Sequence, residues 1–207
     1  MHIPDGFLSL QVSAATAALS LGGFALAIKR AQKKLKERLI PIMGVLSAFV
    51  FAAQMFNFPV AAGTSGHLLG GMLTAVIVGP WAATIVISCV LIIQSLLFQD
   101  GGLIALGANI FNMAIAGTWS GWLLYLFVRK IFPWRAGFYV GVFIGAWFSV
   151  VVAAAVTAAE LGLSGTATLS VVFMAMVGVH AVIGIGEGII TLLVVMFLKK
   201  VKPELIS

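Results

Sequence analysis

Apolar residues along this chain fall in long unbroken stretches rather than alternating with polar ones. Seven stretches stand out, at about 8–28, 40–58, 67–79, 81–98, 103–128, 136–158 and 168–198, parted by short polar or glycine-containing connections. A bilayer core asks for about 20 mostly apolar residues of helix, whereas barrel strands would be about ten residues long with alternating polarity. The pattern therefore predicts an all-α, polytopic membrane helix bundle of seven transmembrane helices, one integral membrane domain over 1–207. The third stretch is short. Pro80 divides it from the fourth, because proline lacks a backbone donor and disfavours helix at the residue before it. The last stretch is longer than a bilayer requires and carries Gly184, Gly186 and Gly188, so a tilt, a late start or a break is expected there.

Composition supports a membrane chain: 62% of the 207 residues are hydrophobic and 9% charged, against roughly 25% charged in soluble domains. A net charge of +6 would suggest nucleic acid in a soluble protein, but in a membrane the placement of the charges matters more than their sum. Lys29, Arg30, Lys33, Lys34, Lys36 and Arg38 fill the first connection, a basic loop over 29–38. Arg129, Lys130 and Arg135 fill the fifth, and Lys199, Lys200 and Lys202 the tail, which accounts for all 12 basic residues. Seven spans put them on one face, and the positive-inside rule makes that face cytoplasmic. The N-terminus is expected outside, and the surroundings are a lipid bilayer with no nucleic acid.

The opposite face then carries residues 1–7 (MHIPDGF), an outer loop over 59–67, and the turns QDGG and AAELGLSG, with His2, His67, Asp5, Asp100 and Glu160 but no lysine or arginine. Such a face suits a cation. A secretory signal would need a basic leader, yet the first lysine is Lys29, so Met1 and His2 are expected to stay on the chain. A free amine followed by histidine places the Met1 amine, the His2 amide nitrogen and the His2 Nδ1 at three corners of a square. Square-planar nitrogen coordination is what Ni(II) and Cu(II) prefer. His67, after the flexible Gly63-Thr64-Ser65-Gly66, shares the N-terminus's face and supplies the fourth nitrogen.

Other polar positions read as supporting groups. Asp5, Asn57 and Ser65 could orient the ligands, since metal-binding imidazoles usually donate their other proton to a nearby acceptor, although Asp5-Gly6 is also a good turn pair. His180 and Glu187 lie two helical turns apart on one face of the last span; a structural hydrogen bond for each is the preferred reading, with assistance to metal passage, binding each other through a third group and service in an enzyme as the alternatives. Cys89 sits in an apolar run and reads as packing. Small residues recur at Ala14/Ala18/Gly22, Ala48/Ala52 and Gly141/Gly145, a spacing that lets helices approach closely. An intramembrane hydrolase built on His2, His67, His180 and Glu187 would lack H-E-x-x-H or any other catalytic signature. A metal-sensing scaffold is a further alternative.

MHIPDGFLS at the start, MGVLSAFVFAAQMFNFPVAAGTSGHLLGG at 43–71 and seven spans with an outward N-terminus resemble the NikM/CbiM-type substrate-binding membrane subunits of energy-coupling factor nickel and cobalt transporters, over essentially the whole chain. The resemblance implies a six-helix core with an extra N-terminal helix, in a prokaryotic inner (cytoplasmic) membrane. It implies metal ligation by the Met1 amine, the His2 backbone and imidazole nitrogens and the His67 imidazole. It also implies a membrane coupling subunit, cytoplasmic ATPase subunits and a small accessory membrane subunit as partners. The chain has no G-x-x-x-x-G-K-[ST] loop, so it is expected to be no enzyme, with energy supplied by those partners. Ala48-Phe49-Val50-Phe51-Ala52 resembles the alanine-spaced face that meets the coupling subunit, and internal packing explains the spacing equally well. PDGFLS at 4–9 resembles the nickel branch more than the cobalt branch. Ni(II) uptake is the expectation, and Co(II) uptake the alternative.

Overall fold

The computed structural model describes residues 1–34, 37–60 and 64–206, with the side chains of Lys34 and Phe58 left aside. Lys36 of the basic connection and Ala61, Ala62 and Gly63 of the outer loop therefore lie outside the described residues. The helices are α1 (Leu10–Lys34), α2 (Ile40–Met55), α3 (Gly71–Val78), α4 (Pro80–Leu97), α5 (Leu106–Ile110), α6 (Thr118–Ile131), α7 (Arg135–Leu163) and α8 (Leu169–Val201). A π-helical segment, Phe111–Gly117, joins α5 to α6 in one rod. Two short strands, β1 (Phe58–Pro59) and β2 (Ser65–Gly66), pair antiparallel between α2 and α3.

Among the described residues six helical stretches are long and apolar enough to cross a membrane: α1, the stretch ending in α2, α4, the α5–α6 rod, α7 and α8. The third apolar stretch yields only the eight residues of α3, all buried, about 12 Å at 1.5 Å per residue, too short to cross alone. Pro80 opens α4 at the position where a missing N–H costs nothing, as its place between the two stretches predicts.

Helix α8 runs unbroken through Gly184, Gly186 and Gly188. Its glycines are contact points instead of a break. A Cβ on Gly184 would sit 2.9 Å from a Trp147 ring carbon, and one on Gly188 2.8 Å from the Phe143 ring, so α7 and α8 lie together along their lengths. Gly145 of the Gly141/Gly145 pair packs the same way, against the backbone of Gly121. Ala14, Ala18, Gly22, Ala48 and Ala52 face outward; α2 turns Leu46, Val50 and Gln54 inward.

Basic side chains gather at one end of the bundle. The Arg30 guanidinium lies 6.0 Å from the Trp81 ring, that of Arg129 is 5.7 Å from the rings of Tyr125 and Phe138, and the Lys199 ammonium is 3.9 Å from Phe138. Lys29, Arg30 and Lys33 belong to the last turns of α1, not to a loop. A helix C-terminus, with its exposed carbonyls, favours cations there.

Candidate metal centre

At the other end the start of the chain turns back into the bundle. Met1 and Ile3 are fully buried and His2 is 3% exposed, with Met1 and Ile3 packed in one apolar cluster with Leu69, Leu161 and Met176. Buried backbone must find hydrogen bonds, and this segment finds them on other elements. Ile3 N–H donates to Asn109 Oδ1 (2.8 Å), and Ile3 C=O accepts from Asn109 Nδ2 (3.1 Å) and from Gly102 N–H (2.9 Å). Gly102 must be glycine, since a Cβ there would fall 2.0 Å from an Asp5 carboxylate oxygen. Asp5 itself accepts the backbone N–H groups of Leu103, Ile104 and Ala105 at 2.8–3.1 Å, which pins the segment to the start of the α5–α6 rod.

Held this way, Met1 and His2 meet the loop before α3. The Met1 amine donates to the Ser65 carbonyl and lies 3.3 Å from Ser65 Oγ. The His2 and His67 rings stack, with centroids 4.5 Å apart and planes inclined by 24°. His2 Nε2 donates to Gln94 Oε1 at 3.1 Å, leaving Nδ1 as a lone pair 3.2 Å from Asp100 Oδ1. His67 Nδ1 lies 2.7 Å from the Leu68 carbonyl. A carbonyl can only accept, so Nδ1 carries the proton and Nε2 is bare, buried and without a partner among the described residues. A lone pair facing a carboxylate, and another facing nothing, are costly in a buried site unless a cation lies there.

Electrostatics keep these nitrogens unprotonated. Burial lowers the Met1 amine to about 4, opposed by the Asp100 carboxylate. Burial, then the neighbouring amine, lowers His2 to about 3, opposed by Gln94. Burial, then the amine and His2, holds His67 well below the ordinary imidazole range. Asp100 is pushed up by burial, with the amine and Asn57 acting the other way. The cluster therefore offers neutral nitrogen donors beside the Asp100 side chain.

The loop carrying His67 is fixed from behind. Leu69 N–H and Gly70 N–H donate to the two oxygens of Glu187 at 2.6 and 2.7 Å, and the Leu69 carbonyl accepts from Gln54 Nε2 at 2.8 Å. Gly70 has φ +77°, and a Cβ there would lie 2.7 Å from a Val50 methyl, so the turn into α3 requires glycine.

The structure thus brings Met1, His2 and His67 into one buried cluster with Ser65 against the amine. Asn57 stands one contact away, its Nδ2 donating to Asp100 Oδ2 at 3.2 Å. Asp5 anchors the segment through the Leu103–Ala105 amides and is not placed on an imidazole. Glu187 has the structural hydrogen bonds expected of it, and His180 Nδ1 bonds the Met176 carbonyl at 2.7 Å. Sequence reasoning passed over Gln94 and Asn109. Their signal was a carboxamide inside an apolar helix, a residue type that must be hydrogen-bonded when buried.

The chain is similar to known proteins over nearly its whole length. The family model described as "Cobalt uptake substrate-specific transmembrane region" matches residues 2–205. A crystal structure of a truncated transition metal transporter superimposes with a TM-score of 0.91 at 37% identity, covering 97% of this chain and 99% of that one. A protein of Archaeoglobus fulgidus assigned as a fused nickel transport protein is 36% identical over 100% of this chain and 68% of its own length. The cobalt transport protein CbiM of Sorangium cellulosum is 33% identical over 100% of this chain and 95% of its own.

Proposed function

The chain belongs to the cobalt uptake substrate-specific transmembrane family, a family of multi-pass transport proteins and not of enzymes, and from that premise we propose that it binds Ni(II) and passes it inward as the substrate-specific subunit of an energy-coupling factor transporter. One observation carries the proposal: a buried amine, two stacked imidazoles with one nitrogen of each bare, and an acceptor for each remaining proton, gathered in one cluster. The donors are the Met1 amine, the His2 amide nitrogen, His2 Nδ1 and His67 Nε2. Four nitrogens favour Ni(II), whose d-electron count gains most from a square plane; Co(II) gains less. Gln94 and the Leu68 carbonyl orient the two rings as outer partners of metal-bound histidines commonly do, and Asp100 balances the charge of the cation.

The chain offers no nucleotide-binding loop, so a membrane coupling subunit and cytoplasmic ATPase subunits supply the energy in a prokaryotic inner membrane, with a small accessory membrane subunit completing the assembly. The outward-facing Ala48 and Ala52 on α2 give a coupling subunit a face on which its helices can approach closely. Ni(II), Co(II) and Cu(II) titrations of the purified chain, with the start of the chain verified by mass as a free Met1, test the site. A yellow square-planar Ni(II) band, absent in His2→Ala and His67→Ala, is expected. Tighter binding of Co(II) than Ni(II), with a high-spin spectrum, would move the assignment to the cobalt branch.

A further inference from the structure

Of the three histidines, two belong to the proposed Ni(II) site. The third, His180 on α8, is fully buried, and its Nδ1 lies 2.7 Å from the carbonyl of Met176 one turn earlier. That carbonyl has no proton to give, so Nδ1 carries it and Nε2 is a bare lone pair with no hydrogen-bond donor opposite among the described residues. The backbone of Ser65 lies close to this imidazole, and its carbonyl is the group that receives the Met1 amine. Strand β2 lies against α8, and Thr64 Oγ1 donates to Met176 Sδ at 3.0 Å, so this face of α8 is pressed onto the segment leading to His67. The two imidazoles lie within electrostatic reach of each other and of the Met1 amine.

A histidine kept for packing would have partners on both nitrogens. His180 repeats the arrangement of His67: one nitrogen tied to a nearby backbone carbonyl, the other bare and buried, in rings close enough to influence each other. Two imidazole lone pairs and a carbonyl oxygen form a donor set that divalent first-row transition metals accept and that Mg(II) does not favour. Two turns further along α8, Glu187 holds Leu69 and Gly70, so α8 supports the His67 loop at both points.

We propose that His180 Nε2, with His67 Nε2 and the Ser65 carbonyl, forms a second and weaker stop for the transported divalent metal ion, taken up when the Met1–His2 chelate lets go. His67 remains bound through the exchange, the amine and both His2 nitrogens leave, and the His2 amide regains its proton from water. The proposal rests on the assignment of Met1, His2 and His67 as the first site. Because it uses donors that survive without the chelate, it can fail separately.

The test uses the full chain in detergent with Co(II) and Ni(II) as probes. A residue inserted between Met1 and His2 removes the chelate, and the second site is then read alone. This variant is expected to keep one Co(II) at an affinity reduced about a thousandfold, and adding His180→Ala is expected to weaken that residual binding at least about tenfold. His180→Ala in the uninserted chain keeps the square-planar Ni(II) band, which also reports an intact fold, while release of Ni(II) to a chelator slows severalfold. Residual Co(II) binding indifferent to His180→Ala, or no residual binding, overturns the second stop. Loss of the square-planar band in His180→Ala overturns it as well, since His180 would then belong to the first site. Absence of that band in the unaltered chain would instead refute the first-site assignment.

Discussion

The two ends of the bundle treat polarity in opposite ways. At the basic end, Arg30, Arg129 and Lys199 lie over Trp81, Tyr125 and Phe138, each cation satisfied by a ring face and by the water it still reaches. Clefts are open there, one of about 330 Å³ between Ala31, Pro80, Trp119 and Trp122. At the histidine end the polar groups are buried, and several are left incomplete: His2 Nδ1, His67 Nε2 and His180 Nε2 have no donor opposite them. Completed polarity orients and anchors a helix bundle. Polarity left incomplete in a buried cluster is what the proposed metal ion would complete.

The largest break in that contrast would come from moving the amine. Inserting one alanine between Met1 and His2 is expected to lower Ni(II) affinity by about 10³-fold, or about 4 kcal/mol, read by competition against a chromophoric chelator; replacing the Met1 side chain with leucine should leave it nearly unchanged. Next comes the support behind His67. Glu187→Gln removes one of two acceptors from the Leu69 and Gly70 amides, so a loss of about 10–100-fold in metal affinity is expected, together with about 1–3 kcal/mol of stability in thermal unfolding.

Proton linkage sharpens the contrast further. The amine titrates about 4 in the folded chain against 8.0 ordinarily, and His2 about 3 against 6.5. Between those values the unfolded chain binds more protons, so the metal-free protein should lose stability steadily as pH falls from 8 to 6. Over that window the folded amine is already neutral, and Ni(II) binding should release about one proton, that of the His2 amide; isothermal titration in buffers of different ionisation heat would count it, and a value near two would place the amine in water. The smallest effect belongs to the basic end. Lys199→Met should cost at most about 1 kcal/mol through its lost contact with Phe138 and leave Ni(II) affinity untouched; a change in affinity would show that the two ends are coupled.

Helix positions were legible because long apolar stretches have few alternatives, and Pro80 punctuates them by a simple backbone rule. The glycines of α8 were less so: spacing alone does not distinguish a break from a seat for Trp147 and Phe143, which only the neighbouring helix decides. The eight-residue α3 was visible as a short stretch, but not that its preceding loop folds inward to bury His67. Met1, His2 and His67 could be named from chelate chemistry and resemblance. Asp5 had the right residue type and a different task, because its backbone partners at 103–105 lie almost a hundred residues away. The orphaned Nε2 of His180 could not be read at all, since a lone pair's lack of a partner is a property of the packed molecule.

The buried start of the chain also sets an order of assembly. Residues 1–3 take their hydrogen bonds from Ser65, Gln94, Gly102 and Asn109 and pack with Leu161 and Met176, and Phe7 C=O accepts from Thr166. During synthesis they precede all of these, so they wait until the seats made by α4, α5, α7 and α8 exist. Made before those helices, residues 1–3 reach their seats only after them, so the cluster of Met1, His2 and His67 closes late in insertion.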